Sequence, residues 1–201
     1  MTYANFNTCL YANFSKCHFL KKFNSNQRRN IKRERESIKK FGVKVEPLCG
    51  SQINVMNLKK MHYFYELHCS RWGIWGSKYL TESFFNELTS TELKENIVLF
   101  DAKEEGIDKT IGMSLCVKNE KMLWGRYWGS EKNIDCLHFE ACYYTPIEWA
   151  IKNKIKYFLS FGFTKNETPT IVNKIKNAMF ILHCSALGYI PYINLLIQTF
   201  I

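Results

Sequence analysis

The stretch NIVLFDAKEEGIDKTIGMSLCVKNEKMLWGRYWG, from Asn96 to Gly129, decides the fold class. Three of its runs, NIVLFDA, TIGMSLCV and KMLWGRYWG, are rich in β-branched, aliphatic and aromatic residues, and they are separated by EEGIDK and a tight NEK turn. Runs of that length and composition between such breakers are strands, and connections this short join neighbours, so the spacing predicts an antiparallel meander. Downstream the apolar spacing becomes helical from about Cys136 to Asn153, with a break or kink near Thr145 and Pro146, and then returns to a strand, IKYFLSFG. A meander followed by helix and strand implies an α+β fold: one mixed, largely antiparallel sheet with helices packed on it.

Upstream, NSNQRRNIKRERESIKKFG reads as a helix capped at Ser25 and ended by Gly42, with only a narrow apolar stripe of Ile31, Ile38 and Phe41. The rest of its surface carries Arg28, Arg29, Lys32, Arg33, Arg35, Lys39 and Lys40, with Glu34 and Glu36 interspersed. One reading is a phosphate- or RNA-binding face, centred on Arg28, Arg29, Lys32 and Arg33, because cations that neutralise phosphates release counterions. The other is a solvated face with internal ion pairs such as Glu36 with Lys40. After the strand-like VKVEPLC, Leu58, Met61, Tyr65, Cys69 and Trp72 recur at helical spacing and predict a core-facing helix. His62 and His68 on it are not one turn apart, which favours structural roles over metal ligation. GIWGSKYLTESFFNEL reads as a loop and a helix capped at Thr81; its glycines are too sparse for a phosphate loop.

With 201 residues, 46% of them hydrophobic, the chain can bury one substantial core. The residues divide as an N-terminal segment (1–23), a main domain (24–162) and an apolar tail (163–201). A net charge of +10 points to an anionic partner: nucleic acid, a phosphorylated cofactor or a membrane surface. The eight cysteines form no CxxC pair and the N-terminus does not read as a secretory signal, so a reducing cytoplasm is expected. From Asn177 to Ile201 there is no Lys, Arg, Asp or Glu, and the run is long enough to cross a bilayer, although Pro191, Gly188, His183, Asn194 and Gln198 interrupt it. A buried helix and strand explain the same run.

The pieces QRRNIKRERESIKKFGV, RWGIWGSKYLTESFF and GRYWGS…LHFEACYYTPIEWAIKNKIKYF occur in that order. Together, over Asn24 to Phe158, they resemble the bacterial FemAB-like, GNAT-fold N-acyltransferases of a peptidoglycan biosynthesis/recognition family. The resemblance implies a GNAT-like sheet and transfer of an acyl or aminoacyl group to an amine of a cell-envelope precursor. It implies a shortened member, lacking a preceding GNAT-like half, and it departs from the family where FLSFGFTKNETPTIVNK replaces a Gly-rich segment. The implied donor is acyl-CoA or, as in Fem-type enzymes, aminoacyl-tRNA, for which the basic helix supplies a phosphate contact; the pyrophosphate-binding turn of CoA-dependent enzymes is not found.

Acyl transfer to an amine requires a proton acceptor, a polarised carbonyl and two aligned substrates. His138 is a candidate base, Glu140 a second one or the partner that orients it, and Tyr144 a hydroxyl donor to an oxyanion or leaving group. Arg126 suits a phosphate or carboxylate, with Tyr127, Trp128 and Tyr143 as further substrate contacts. In the structural alternative Tyr127 and Trp128 pack the core, and His138 and Glu140 form a satisfied polar pair. Cys136, His138 and Cys142 make C-x-H-x-x-x-C, but zinc lacks a fourth ligand and Cys142 lacks partners as a nucleophile. Against the enzyme stand a noncatalytic module that binds RNA or an anionic surface, and an inactive remnant.

Overall fold

The computed structural model describes residues 10–11, 20, 23–71, 73, 78, 80–89 and 92–159. The apolar tail and its membrane alternative, the departure from the family pattern after Leu159, and Trp72 lie outside the described residues.

The opening stretch forms the expected meander, β3 (Ile97–Glu104), β4 (Lys109–Lys118) and β5 (Met122–Ser130), each antiparallel to the next. The NEK turn closes because the Asn119 side chain accepts hydrogen bonds from the backbone N–H of Lys121 at 2.9 Å and of Met122 at 2.8 Å. β2 (Val43–Cys49) pairs antiparallel with β3, while β6 (Tyr157–Leu159) runs parallel to β5 and β1 (Leu10–Tyr11) antiparallel to β6. The order across the six strands is β1-β6-β5-β4-β3-β2.

A parallel pair needs a crossover. Here it is one helical stretch, α4 (Leu137–Phe139), a π-helical turn (Glu140–Tyr144) and α5 (Thr145–Lys152). The expected break near Pro146 takes the form of that π turn: Pro146 falls in the first turn of α5, where a missing N–H costs little. With α1 (Ser25–Lys40) this stretch covers one face of the sheet, burying Val98, Phe100, Ala102 and Ile111 against Ile31, Ile38, Ile147 and Ala150. The opposite face packs Leu99, Met113 and Leu115 on α2 (Val55–Ser70) and α3 (Glu82–Glu87). Both faces are covered, which is why residues 97–100 read as an unbroken apolar run.

The helix starts follow capping chemistry. Thr81 caps α3 through the Phe84 N–H, as expected. At α1 the cap is Asn24 rather than Ser25: its side chain accepts from the Gln27 N–H at 2.9 Å while Gln27 accepts from the Asn24 N–H at 3.0 Å. Gly42 ends the helix at a φ of 65°, which only glycine adopts freely.

α2 is seated closely on β5. At Gly129 the α2 backbone lies directly on the strand: a Cβ there would sit 1.9 Å from the Phe64 carbonyl oxygen. About two turns further along, the Arg71 guanidinium donates to the Ser130 carbonyl at 2.7 Å. The last turns of α2 are thereby fixed beside the end of β5.

Candidate functional site

β5 carries a bulge. Cys116 of β4 faces Gly125 and Leu115 faces Tyr127, so Arg126 is an extra residue out of register with β4. The described pairing of β5 with β6 stops just before it, at Trp124 and Leu159. Along the next residues of β5 lies a cavity of about 190 Å³ lined by Tyr65, His68, Arg126, Tyr127, Trp128 and His138. Tyr65 belongs to the α2-side core and Trp128 to the α1-side core, so the cavity reaches both sides of the strand.

The side chains are held by ring contacts. Tyr65 meets Tyr127 edge-on at 5.4 Å, and its hydroxyl accepts from the Leu80 N–H at 3.3 Å. His138 lies 5.8 Å from the Trp128 ring, 5.8 Å from Phe139 and 5.6 Å from Tyr143, the last edge-on. One side of the imidazole is exposed. Desolvation by these neighbours, with His68 adding a smaller effect, lowers its pKa to about 4. Solvent on the open side tempers that shift, and the ring is neutral at pH 7 in either case. Burial, and then the charge of Arg71, lowers His68 as well. Burial pushes the Tyr143 hydroxyl up to about 12, so it too is uncharged. The full positive charge on the lining is Arg126, whose guanidinium lies 5.8 Å from the Tyr127 ring centroid and is paired with no carboxylate among the described residues.

The other two candidates for proton transfer face away. Glu140 is buried and receives Arg35 through Nη2 at 2.8 Å and Nε at 3.0 Å, together with the Thr145 hydroxyl at 2.8 Å. Arg35 also reaches Glu148, with Nη1 at 2.5 Å and Nη2 at 2.9 Å. Burial alone would weaken the charge on Arg35, but the hydrogen bonds and attraction of Glu148 and Glu140 outweigh it and raise its pKa. The Tyr144 hydroxyl donates to Glu34 of α1. His138 and Glu140 therefore do not form a pair: residues two apart on a helix point to different sides. Tyr143 sits between, its ring against His138, while its neighbour Tyr144 reaches Glu34 of α1.

On the outer face of α1, Arg28, Arg29, Lys32 and Arg33 are all exposed. Arg28 donates to the Phe23 carbonyl at 2.5 Å and Arg29 to Asn26. Glu36 pairs with Lys32 at 3.9 Å rather than with Lys40. Cys142 is fully buried and its thiol pushed up by desolvation, while Cys136 turns the chain into α4 at a φ of 68°. No cluster of three or more His, Cys, Asp or Glu able to hold a metal ion occurs among the described residues. Nor is any helix among them long and apolar enough to cross a membrane.

Four of the residues singled out in the sequence, Arg126, Tyr127, Trp128 and His138, thus meet at one cavity. Its two other members, Tyr65 and His68, come from α2, where the sequence pattern marks them as core or structural residues. The pattern likewise sets Arg35 among the surface cations of α1.

A mixed, largely antiparallel sheet with one parallel pair bridged by a helix, and helices on both faces, is the α+β architecture expected from the sequence. The model of the FemAB-like family, described as peptidoglycan biosynthesis/recognition, matches residues 2–161, and the chain belongs to that family. No curated protein matches the chain. Among solved structures it is similar to an aminoglycoside acetyltransferase, meta-AAC0020, from an uncultured soil metagenomic sample, crystallised with sisomicin: 14% identity, TM-score 0.43, covering 70% of this chain and 88% of that one. It is also similar to L-PGS from Bacillus licheniformis, at 9% identity and TM-score 0.49, covering 76% of this chain and 48% of that one. A possible acetyltransferase from Clostridium difficile 630 matches at 12% identity and TM-score 0.40, covering 67% and 89%.

Proposed function

We propose that the chain is an N-acyltransferase that moves an acyl or aminoacyl group to an amine of a peptidoglycan or other cell-envelope precursor. The observation that carries this reading is the neutral imidazole of His138 facing an aromatic-walled cavity beside the bulge of β5. Family membership supports it independently. In this mechanism the amine nitrogen attacks the acyl carbon of a thioester or ester donor, His138 accepts the proton the amine loses, and the donor's C–S or C–O bond breaks as that proton passes to the departing thiol or hydroxyl. Trp128, Tyr127 and Tyr65 exclude water from that encounter. The bulge at Arg126 takes one peptide unit of β5 out of register with β4, and a donor freed in this way polarises a carbonyl brought against it. Glu140 and Tyr144 are positioning residues here, holding the π turn on α1 through Arg35 and Glu34.

The donor is found by thermal shift against acyl-CoA species and aminoacyl-tRNA, since a ligand that binds only the folded state raises its melting temperature. With that donor, His138→Gln is expected to lower turnover about a hundredfold, the low end for a lost general base. The melting temperature should hardly change, because the ring is partly exposed and is held among the described residues by ring contacts rather than hydrogen bonds. Activity should fall as the pH drops through the pKa of His138, and that midpoint should lie below the ordinary 6.5. A drop in stability without a separable kinetic effect would return His138 to a structural role.

The exposed basic face of α1 favours a second reading, a module that binds RNA or an anionic surface. Reversing the charge at Arg28, Arg29, Lys32 and Arg33 together should abolish salt-dependent tRNA binding in a gel shift. In the acyltransferase reading the same variant loses only the use of a tRNA-borne donor. Unaltered binding by the variant would remove this face from either account.

A further inference from the structure

The cavity combines features that proton transfer does not need. Arg126 brings a planar guanidinium to its wall, set there by an extra residue in β5, with no protein carboxylate to neutralise it among the described residues. The other polar groups of the lining are imidazoles and phenols, and the remaining surface is the faces and edges of Tyr65, Tyr127 and Trp128. At about 190 Å³ the space is smaller than the roughly 300–1,000 Å³ of sites that enclose a drug-sized ligand, so it seats one end of a substrate. A single guanidinium matches the planar fork of a monoanionic carboxylate better than a phosphate dianion, which generally gathers several cationic donors. An ammonium in the same space is attracted by the ring faces and lies within reach of an uncharged imidazole.

We infer that this cavity binds an amino-acid-like end of the acceptor, with the carboxylate forked on Arg126 and the amine held among the rings of Tyr127 and Trp128 toward His138. The substrate class is thus an α-amino acid or a peptide terminus that carries both groups within about one residue's length. That the bound molecule is the acceptor rests on the acyl-transfer reading; the carboxylate site itself does not.

The test uses the full chain and the imidazole Cε1–H signals of His68 and His138, assigned by single His→Gln variants. L-leucine, L-leucinamide and inorganic phosphate are each titrated in. The expected result is a saturable shift of both signals by leucine and binding of leucinamide at least about tenfold weaker, the usual worth of one charge-assisted fork. Arg126→Gln should erase the difference between the two, and Arg126→Lys should restore part of it, since the charge returns without the fork. Should Arg126→Gln melt early, the lysine variant carries the comparison alone. Equal binding of leucine and leucinamide, no saturable shift with either, or saturation by phosphate with displacement of leucine would each overturn the proposal. Leucine binding combined with full turnover by His138→Gln would sink the acyl-transfer mechanism and leave the carboxylate site standing. Turnover with no leucine binding would do the reverse.

Discussion

Replacing Arg35 by alanine is expected to destabilise the protein by about 3–5 kcal/mol, read as a lower denaturant midpoint at an unchanged slope. The size follows from what is left behind. Arg35 of α1 is 24% exposed and ties that helix to Glu140, 8% exposed, and Glu148 of the crossover, 105 and 113 positions downstream. Its removal leaves two carboxylates facing each other with the Thr145 hydroxyl as a remaining donor to Glu140. Truncating one member of a buried pair costs far more than the pair contributes, because the stranded charge stays desolvated. Replacing the set together, as Arg35→Met with Glu140→Leu and Glu148→Gln, should recover most of the loss. If Arg35→Ala costs less than about 1 kcal/mol, the pair is solvated like an ordinary surface bridge and does not anchor the π turn.

Gly129→Ala should be of similar severity, about 3 kcal/mol or more, for a steric reason. The new methyl would stand 1.9 Å from the Phe64 carbonyl oxygen and 2.4 Å from its carbon, both backbone atoms of α2 that cannot swing aside. Either α2 lifts from β5 or the strand shifts, and Tyr65 and His68 move with the helix. Gly112→Ala is the comparison. Its Cβ would meet the Ser130 Cβ at 2.9 Å, the edge of Trp128 at 3.0 Å and the Gly129 carbonyl oxygen at 3.1 Å, a milder crowding than at Gly129 because a small shift of the two strands relieves it. Equilibrium denaturation should rank the two variants in that order, and equal losses would mean that the α2–β5 contact yields easily.

Much of this architecture is legible in local sequence. β3, β4 and β5 follow from runs and turn residues within a single stretch, and the caps at Thr81 and near Asn24 follow from side chains a few positions away from the N–H groups they satisfy. The site is legible only where its members are neighbours in the chain, as Arg126, Tyr127 and Trp128 are. His68 enters it because Gly129 lets α2 close on β5, and nothing around His68 itself announces a contact some sixty residues away. At His138 and Glu140 the limit is the opposite one. Proximity in sequence suggests a pair, but helical geometry turns them to different partners, and the partner of Glu140 stands 105 residues upstream on α1. Arg35 resembled its basic neighbours because composition carries no mark of which cation on a helix faces inward.

The π turn has a consequence for chain length. Glu140 and Glu148 are eight positions apart, which in an α-helix would set them about 80° apart around the axis. Taking one additional residue into the π turn removes about 100° of phase and brings them within roughly 20° of each other, so that one guanidinium serves both. The number of residues between Leu137 and Lys152 is consequently constrained in a way that their identities are not. As lineages of this fold diverge, letters in the run can be exchanged singly and repacked, whereas a one-residue deletion rotates half of the crossover against the other half at a stroke.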